Sequence, residues 1–389
     1  MTTLSNHPAR GASVRDLRVL MIAFASTAHG GVHRKLAEQV REMRRHIPQT
    51  LALVFADTRE APAPANPPYT LVDLRGGGFD PASRSLAWFH CWEAVEQFKP
   101  DVVYMRYPLY DGHVLRFLRE APPVVFELQT KFDLELPPAA AEIERQWARR
   151  VLPETAGLVA VTPEILTHEL TRGRVAIPGH VMANGADPAL LPFVTPQLPP
   201  DRINLVCVAS FYPWHGADRV ICGMAAEPDV SDVHLHLVGD GGSVPALRQL
   251  AIDLGVQDRV HFHGLIPADA LDPFYAQAHL AIGVLAPQRK GLTELCALKH
   301  REYALRGLPF VAAGTDIDFP ASLPWLRTVD ADDTPISPRM LRAFALGWTN
   351  EKRRRQIRQW AEQHLSWSAK IRALTEFLGT VARPRVKAA

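Results

Sequence analysis

The stretch GLTELCALKHREYALRGLPFV, residues 291–311, places Glu294 and Glu302 eight positions apart, with Lys299, His300 and Arg301 between them. A helix beginning near Leu295 would put Glu294 at its N-terminus. Glu302 would then lie two turns on, displaced by about 12 Å along the axis and rotated by about 80°. Carboxylates so placed cannot grip one atom, but they can hold opposite ends of an extended ligand. Lys299 and the helix N-terminus would oppose anionic charge between them. The competing reading is an amphipathic helix with a solvated charged face. Against it, Gly307-Leu308-Pro309 runs directly into the apolar PFVAAG, which sets this helix beside a central strand.

Two further loops could meet a ligand. His29-Gly30-Gly31 lies between an apolar run and a helical pattern, where free N–H groups favour a phosphate or a sugar hydroxyl. It is not GxGxxG, and a tight strand-to-helix turn explains it equally well. Gly239-Asp240-Gly241-Gly242 follows VHLHLV and carries the same two readings. Gly76-Gly77-Gly78 reads as flexible loop. His234/His236 and His261/His263 are HxH pairs in strand-like context, each pair directed to one face; a metal would need further convergent ligands. The DxD at Asp330-Ala331-Asp332 follows no Val/Ile-rich strand and reads as a solvated loop. No metal site is expected.

These residues need a scaffold, and the chain supplies an alternation of apolar runs and helical stripes. LRVLMIAF (17–24), TLALVFA (50–56), TLVDL (70–74), DVVYM (101–105), PVVFEL (123–128) and GLVAV (157–161) read as strands. Such continuous runs suit parallel strands covered on both faces. After a Pro-rich stretch at 191–202, taken as a linker, the alternation restarts. INLVCVAS (203–210), VHLHLVGD (233–240), DRVHFHG (258–264), HLAIGVL (279–285) and PFVAAG (309–314) are the second set. The expected architecture is α/β, with two facing Rossmann-like doubly wound domains and a ligand-binding cleft between them. Its parts are residues 1–195, residues 196–365, and a C-terminal helix at 366–389 packing back on the first domain.

Bulk properties exclude several classes. The 389 residues carry a formal net charge of +2, too small for a general nucleic-acid binder. The apolar runs are too short to span a bilayer, and the polar N-terminus lacks the apolar core of a secretory signal, so a cytoplasmic location is expected. The basic run EKRRRQIRQW (351–360) leaves peripheral membrane contact open, against a solvated charged helix. Cys91, Cys207, Cys222 and Cys296 lack CxxC spacing and indicate neither disulfides nor zinc. The oligomeric state is not legible.

With these residues in view, the sequence resembles the retaining GT-B glycosyltransferases of the glycogen-synthase-like group, also known as family four. Glu294 and Glu302 match its E-x7-E motif, and REYALRGLPFVAAG is similar to its helix-to-strand segment. Val181-Met-Ala-Asn-Gly-Ala-Asp187, Phe211-Tyr-Pro-Trp-His-Gly-Ala-Asp218, LVGDGG and RVHFHGLIPADALDPFYAQAHLAI stand in the family's order. The resemblance implies a nucleotide-diphosphate sugar as co-substrate, held by the second domain, and no cofactor or metal. Glu294 would contact the donor sugar and Glu302 the ribose. Leu265 and Ile266 would border the base, with Gly239 and Leu298 also lining the donor site. The acceptor, a glycan, lipid-linked or small molecule, would lie near His29, Gly30 and Gly31.

The chain departs from the family at three places. Ser210 and His215 stand where many relatives carry the diphosphate-binding Arg and Lys, so Lys290, Arg289 or Lys299 would substitute, Lys299 foremost. Gln129 stands where many carry a site histidine, and it cannot act as a base. The segment between Pro287 and Thr293 keeps only Gly291 of the usual Gly-rich pattern. The alternatives are a catalytically silent nucleotide-sugar-binding module and a sugar-nucleotide epimerase or hydrolase.

Overall fold

In the computed structural model the described residues are 14–27, 30–59, 65–74 and 81–382. His29 and Gly76-Gly77-Gly78 lie outside them. The chain forms two compact units: residues 1–182 with 368–389, and residues 183–367.

The first unit is built on a parallel sheet of seven strands: β1 (Val19–Phe24), β2 (Thr50–Ala56), β3 (Thr70–Asp73), β4 (Val102–Arg106), β5 (Val124–Leu128), β6 (Gly157–Ala160) and β7 (Gly179–Val181). Their order is β3-β2-β1-β4-β5-β6-β7. β1 is apolar, and β5, with Glu127 as its one charged residue, is buried along its length, because helices cover both faces. β7, three residues at the sheet edge, has too short a pattern to be read from sequence.

The second unit repeats the plan with β8 (Ile203–Val208), β9 (Val233–Val238), β10 (Val260–Gly264), β11 (Leu280–Ile282), the short β12 (Glu294–Leu295), β13 (Phe310–Ala313), the short β14 (Thr315–Asp316) and β15 (Leu326–Val329). The main sheet runs β10-β9-β8-β11-β13-β15, while β12 and β14 pair separately. Alternate residues of β8 serve opposite faces. Leu205 and Cys207 enter one apolar cluster, and Val206 and Val208 pack with the other. β15 is a half-exposed edge strand whose LRTV pattern carries little apolar signal.

The boundary between the units falls at 182/183, ahead of the expected 195/196. The Pro-rich stretch is no free linker, because Leu191 and Val194 are buried in the second unit's core. Gln197 N–H also donates to the Ala276 carbonyl at 2.8 Å. The helix Trp367–Val381 buries Ile371, Leu374 and Leu378, and its Phe377 stacks on His180.

The basic run at 351–360 is not a plain solvated face either. Arg354 is fully buried and donates to the carbonyls of Trp348 (2.9 Å) and Ala278 (2.8 Å). Arg358 reaches those of Pro188, Leu191 and Leu305. Arginines that satisfy orphan carbonyls are tying segments together. Among the described residues no helix is long and apolar enough to cross a membrane.

Candidate active site

In an open doubly wound sheet, ligands bind beyond the carboxyl ends of the strands where the order reverses. In the second unit that point lies between β8 and β11. Tyr303 marks it: its hydroxyl accepts from Val208 N–H (3.1 Å) at the end of β8 and donates to the Ile282 carbonyl (3.2 Å) at the end of β11. The loops after the two strands are also joined. Leu285 and Ala286 N–H donate to the carbonyls of His215 and Trp214, each at 3.1 Å.

Helix Leu298–Leu305 enters beside this point. It begins at Leu298, not near Leu295, because Glu294 and Leu295 are extended and pair with Thr315 and Asp316. Glu294 therefore stands on a short strand ahead of the helix, half-buried, and not in its first turn. The three cations between the two glutamates then separate sharply in role. Arg301 uses all five of its donors inside the fold. It is bidentate to Asp316 (2.8 and 2.9 Å) and also reaches Asp318 (2.6 Å) and the carbonyls of Asn184 (2.9 Å) and Ala297 (3.0 Å). His300 donates from Nδ1 to Asp316 (2.8 Å) and accepts Val284 N–H at Nε2 (3.1 Å), so it is a fully buried neutral bridge. Burial raises the Asp316 carboxyl, but the Arg301 charge and the His300 hydrogen bond overcome this and bring it down to about 2.

Lys299 is different. Its Nζ lies 3.7 Å from Cys207 Sγ at the end of β8, and among the described residues no carboxylate lies within ion-pair distance. Burial pushes its ammonium below the ordinary value. A buried cation without an anion is costly, and an arriving anion relieves that cost. His215 is its neighbour: burial, reinforced by the charges of Lys299 and Lys290, pushes its imidazole well below the ordinary range. His215 Nδ1 accepts Tyr212 N–H (3.1 Å), which leaves Nε2 as the donating nitrogen. Lys290 lies 4.8 Å over the Trp214 ring. Ser210 is half-buried just past the end of β8.

Arg289 is not available to a diphosphate. Its five donors are spent on Asp218 (2.7 and 2.8 Å), Asp333 (2.7 and 2.8 Å) and the Pro213 carbonyl (2.9 Å). Asp332 of the same acidic loop pairs with Arg219 (2.7 Å), so one carboxylate of the DxD braces the fold. Glu302 is buried, and its Oε1 accepts from the Tyr275 hydroxyl and from Arg306 Nε, both at 3.1 Å.

The Gly239–Gly242 loop is dictated by packing. A Cβ at Gly239 (φ +124°) would fall 1.9 Å from the Ala209 carbonyl oxygen, and one at Gly241 would crowd the Phe211 backbone. Leu265, just past β10, is 69% exposed, with Ile266 partly buried behind it. Each histidine pair keeps to one face of its strand, as expected, and the two pairs meet. Each histidine bonds across strands, His234 Nδ1 to His261 Nε2 and His236 Nδ1 to His263 Nε2, both at 3.0 Å, in one stacked ladder on β9 and β10.

In the first unit, Gln129 follows β5. Lys35 Nζ donates to its Oε1 (2.6 Å) and to Glu127 Oε1 (3.2 Å), while Gln39 Nε2 donates to the same Glu127 oxygen (2.8 Å). Because Lys35 is a pure donor, the Gln129 oxygen must face it and the amide NH2 faces away. Gly30 and Gly31 open the helix Gly30–His46 and are exposed. Sequence reasoning missed Lys35, Tyr303, Asp316 and Asp318. Only the Asp316-Ile-Asp318 pair, just past the PFVAAG strand, left a trace that could have been followed.

Known proteins share parts of this chain's sequence and its fold. Residues 202–322, within the second unit, match the family described as glycosyl transferases group 1. A mannosyltransferase of Mycolicibacterium smegmatis, a GDP-mannose-dependent alpha-(1-6)-phosphatidylinositol monomannoside mannosyltransferase, is 28% identical over 46% of this chain; the match spans 48% of that protein, about half its length. Among solved structures, Anabaena HepE in complex with UDP superposes with a TM-score of 0.64 at 17% identity, covering 94% of this chain and 100% of that one. Sucrose-phosphate synthase of Thermosynechococcus elongatus reaches 0.69 at 15% identity, covering 94% and 99%. With two parallel-sheet units and these neighbours along nearly its whole length, the chain has the GT-B fold, its second unit matching the group 1 glycosyl transferases.

Proposed function

We propose that the chain is a glycosyltransferase, and that its second unit holds a nucleotide-diphosphate sugar at the carboxyl ends of β8 and β11. The observation that carries this reading is Lys299, a half-buried lysine at the switch point of the sheet whose ammonium meets no carboxylate among the described residues. The departing nucleoside diphosphate gains negative charge as the glycosidic bond breaks, and a preorganised cation stabilises that charge. His215 adds a neutral N–H donor, and Lys290 a second cation. Exposed Leu265 and its neighbour Ile266 offer an apolar surface to the base. Gly239 brings bare backbone to the same edge of the sheet, and Leu298 lies beside Lys299. Glu294 takes the sugar hydroxyls and Glu302 the ribose.

Transfer proceeds with retention and without a metal. Gln129 orients a hydroxyl through its amide and moves no proton. The acceptor group is carried by the first unit near its Gly30–Gly31 loop, and the enzyme works in the cytoplasm. The similar proteins name different nucleotides, GDP-mannose in one and UDP in another, so the base is read by experiment.

Thermal melting with UDP, GDP, ADP and dTDP, with and without EDTA, tests the donor site. One diphosphate should raise the melting temperature selectively and independently of EDTA. No shift with any of them would defeat the reading. A second reading, a silent nucleotide-sugar-binding module, is favoured by the absence of a base at Gln129. It predicts the same shift with no hydrolysis or transfer of any donor sugar.

A further inference from the structure

The first unit contains a cluster that the transfer reaction does not use. The short helix Phe132–Glu135, after β5, brings Asp133 against the helix Pro163–Gly173, after β6, which carries His168 and Glu169 on adjacent positions. One ligand atom from each of the three lies within 4.8 Å of the others. His168 Nε2 is 2.8 Å from Asp133 Oδ1. That contact is a hydrogen bond, and its length also matches the separation of about 3 Å between two ligands bound at right angles about 2.1 Å from a cation, so a cation can take the place of the shared proton.

A buried orphan oxygen points to a missing cation. Glu169 is 0% exposed, and both contacts from Arg172 fall on its Oε2. Its Oε1 has no hydrogen-bond partner among the described residues. A buried carboxylate oxygen with nothing to accept from is costly. The buried carboxylates around it also outnumber the buried arginines. Asp133, Glu144 and Glu169 are buried, and Arg172 is the buried cation among them, paired with both glutamates. Arg145 stands 3.8 Å from Asp133 but is already bound to Glu142. The Tyr107 hydroxyl donates to Glu144 (2.5 Å) and brings no charge. His168, with its side chain 25% exposed, sits at the rim, where an ion and its waters can enter.

We propose that Asp133, His168 and Glu169 bind one divalent cation of the kind that accepts mixed nitrogen and oxygen ligands, Zn2+ or Mn2+, with water completing the coordination. The ion sets positive charge among the buried carboxylates and gives Glu169 Oε1 its partner. It also clips the two helices that flank the Gln129–Lys131 segment, where Lys131 and Glu164 already form one bridge at 2.7 Å. The site is made wholly by the first unit, and it stands whether or not the donor-site reading does.

The test uses the full chain stripped with EDTA and dialysed. It should take up one equivalent of Zn2+ or Mn2+ by elemental analysis, with a higher melting temperature. Co2+ should give a visible spectrum of nitrogen–oxygen coordination. His168→Gln, at the partly exposed rim, should weaken uptake by at least about tenfold, and Asp133→Asn should do the same. No uptake by the folded wild-type chain would overturn the site. So would uptake that survives both substitutions but is lost in His236→Ala, which would place the ion on the histidine ladder. A proton on Glu169 is the remaining alternative occupant: a Glu169→Gln variant as stable as metal-free wild type, with no metal effect on either, would establish it and end the proposal.

Discussion

Lys299 and Arg301 are two residues apart on one helix, carry the same charge and are both drawn into the protein, yet they belong to different regions. Arg301 lies in a region complete in itself: two aspartates and two carbonyls occupy every donor it has. Lys299 faces the end of β8, where its ammonium meets the Cys207 thiol sulfur at 3.7 Å. A cation whose partners are all internal holds a fold. One left without an anion at a sheet's switch point has kept its capacity for a ligand.

The comparison breaks most visibly at Asp316. Asp316→Ala would leave Arg301 buried with one carboxylate and take His300's acceptor. We expect a loss of about 3–5 kcal/mol in urea denaturation, enough to unfold a marginal domain. A loss below about 1 kcal/mol would show that the Arg301 region is not the structural one.

Lys299→Ala should do the reverse. Nucleoside-diphosphate affinity should fall by about ten- to a hundredfold, the loss of a charge-assisted contact, with nucleoside affinity little changed and the melting temperature held or raised. Calorimetric titration of both ligands decides it. Equal losses would remove Lys299 from the phosphate site. Glu302→Gln is the companion variant, and Gln is preferred to Ala because the carboxylate also holds Arg306 and Tyr275.

The histidine ladder sharpens the comparison with cations that the fold refuses to form. Burial and neighbouring charge push His236 down to about 3, and His234, His261 and His263 are also lowered, with Arg202 and Arg259 facing the ladder and Asp201 opposing them. Between about pH 6.5 and about pH 3 the unfolded chain binds the protons that the folded chain refuses. Stability is therefore complete above this window and falls as pH drops through it. Discounted for solvent screening, the loss between about pH 7 and about pH 4 should be roughly 1–2 kcal/mol. His236→Leu should flatten the slope; an unchanged slope would exonerate the ladder.

The smallest effect is expected at Arg289. Its pairs with Asp218 and Asp333 are partly exposed, so Arg289→Ala should cost about 1 kcal/mol and leave diphosphate affinity unchanged. A tenfold loss of affinity would return Arg289 to the site.

The two successive strand series, the parallel architecture and the gathering of charge around Glu294 and Glu302 were all legible in the sequence. A strand buried on both faces must be apolar throughout, and an α/β alternation written in such runs has few other solutions. Helix Leu298–Leu305 lies between Glu294 and the PFVAAG strand, as expected, but starts later than expected. There the deciding force was β12 pairing with β14, a contact across some twenty positions that no local pattern carries.

What only the tertiary structure decided is which charges are spent. Charge type is written in the sequence, but the partner is not. Asp316 for Arg301, Asp218 for Arg289, Lys35 for Gln129 and the Leu191 and Leu305 carbonyls for Arg358 all come from distant segments. A long-range ion pair depends on two side chains meeting after the sheets have formed. The sequence therefore determined the scaffold and the inventory of charged groups, and the packing determined which of them remained for a ligand.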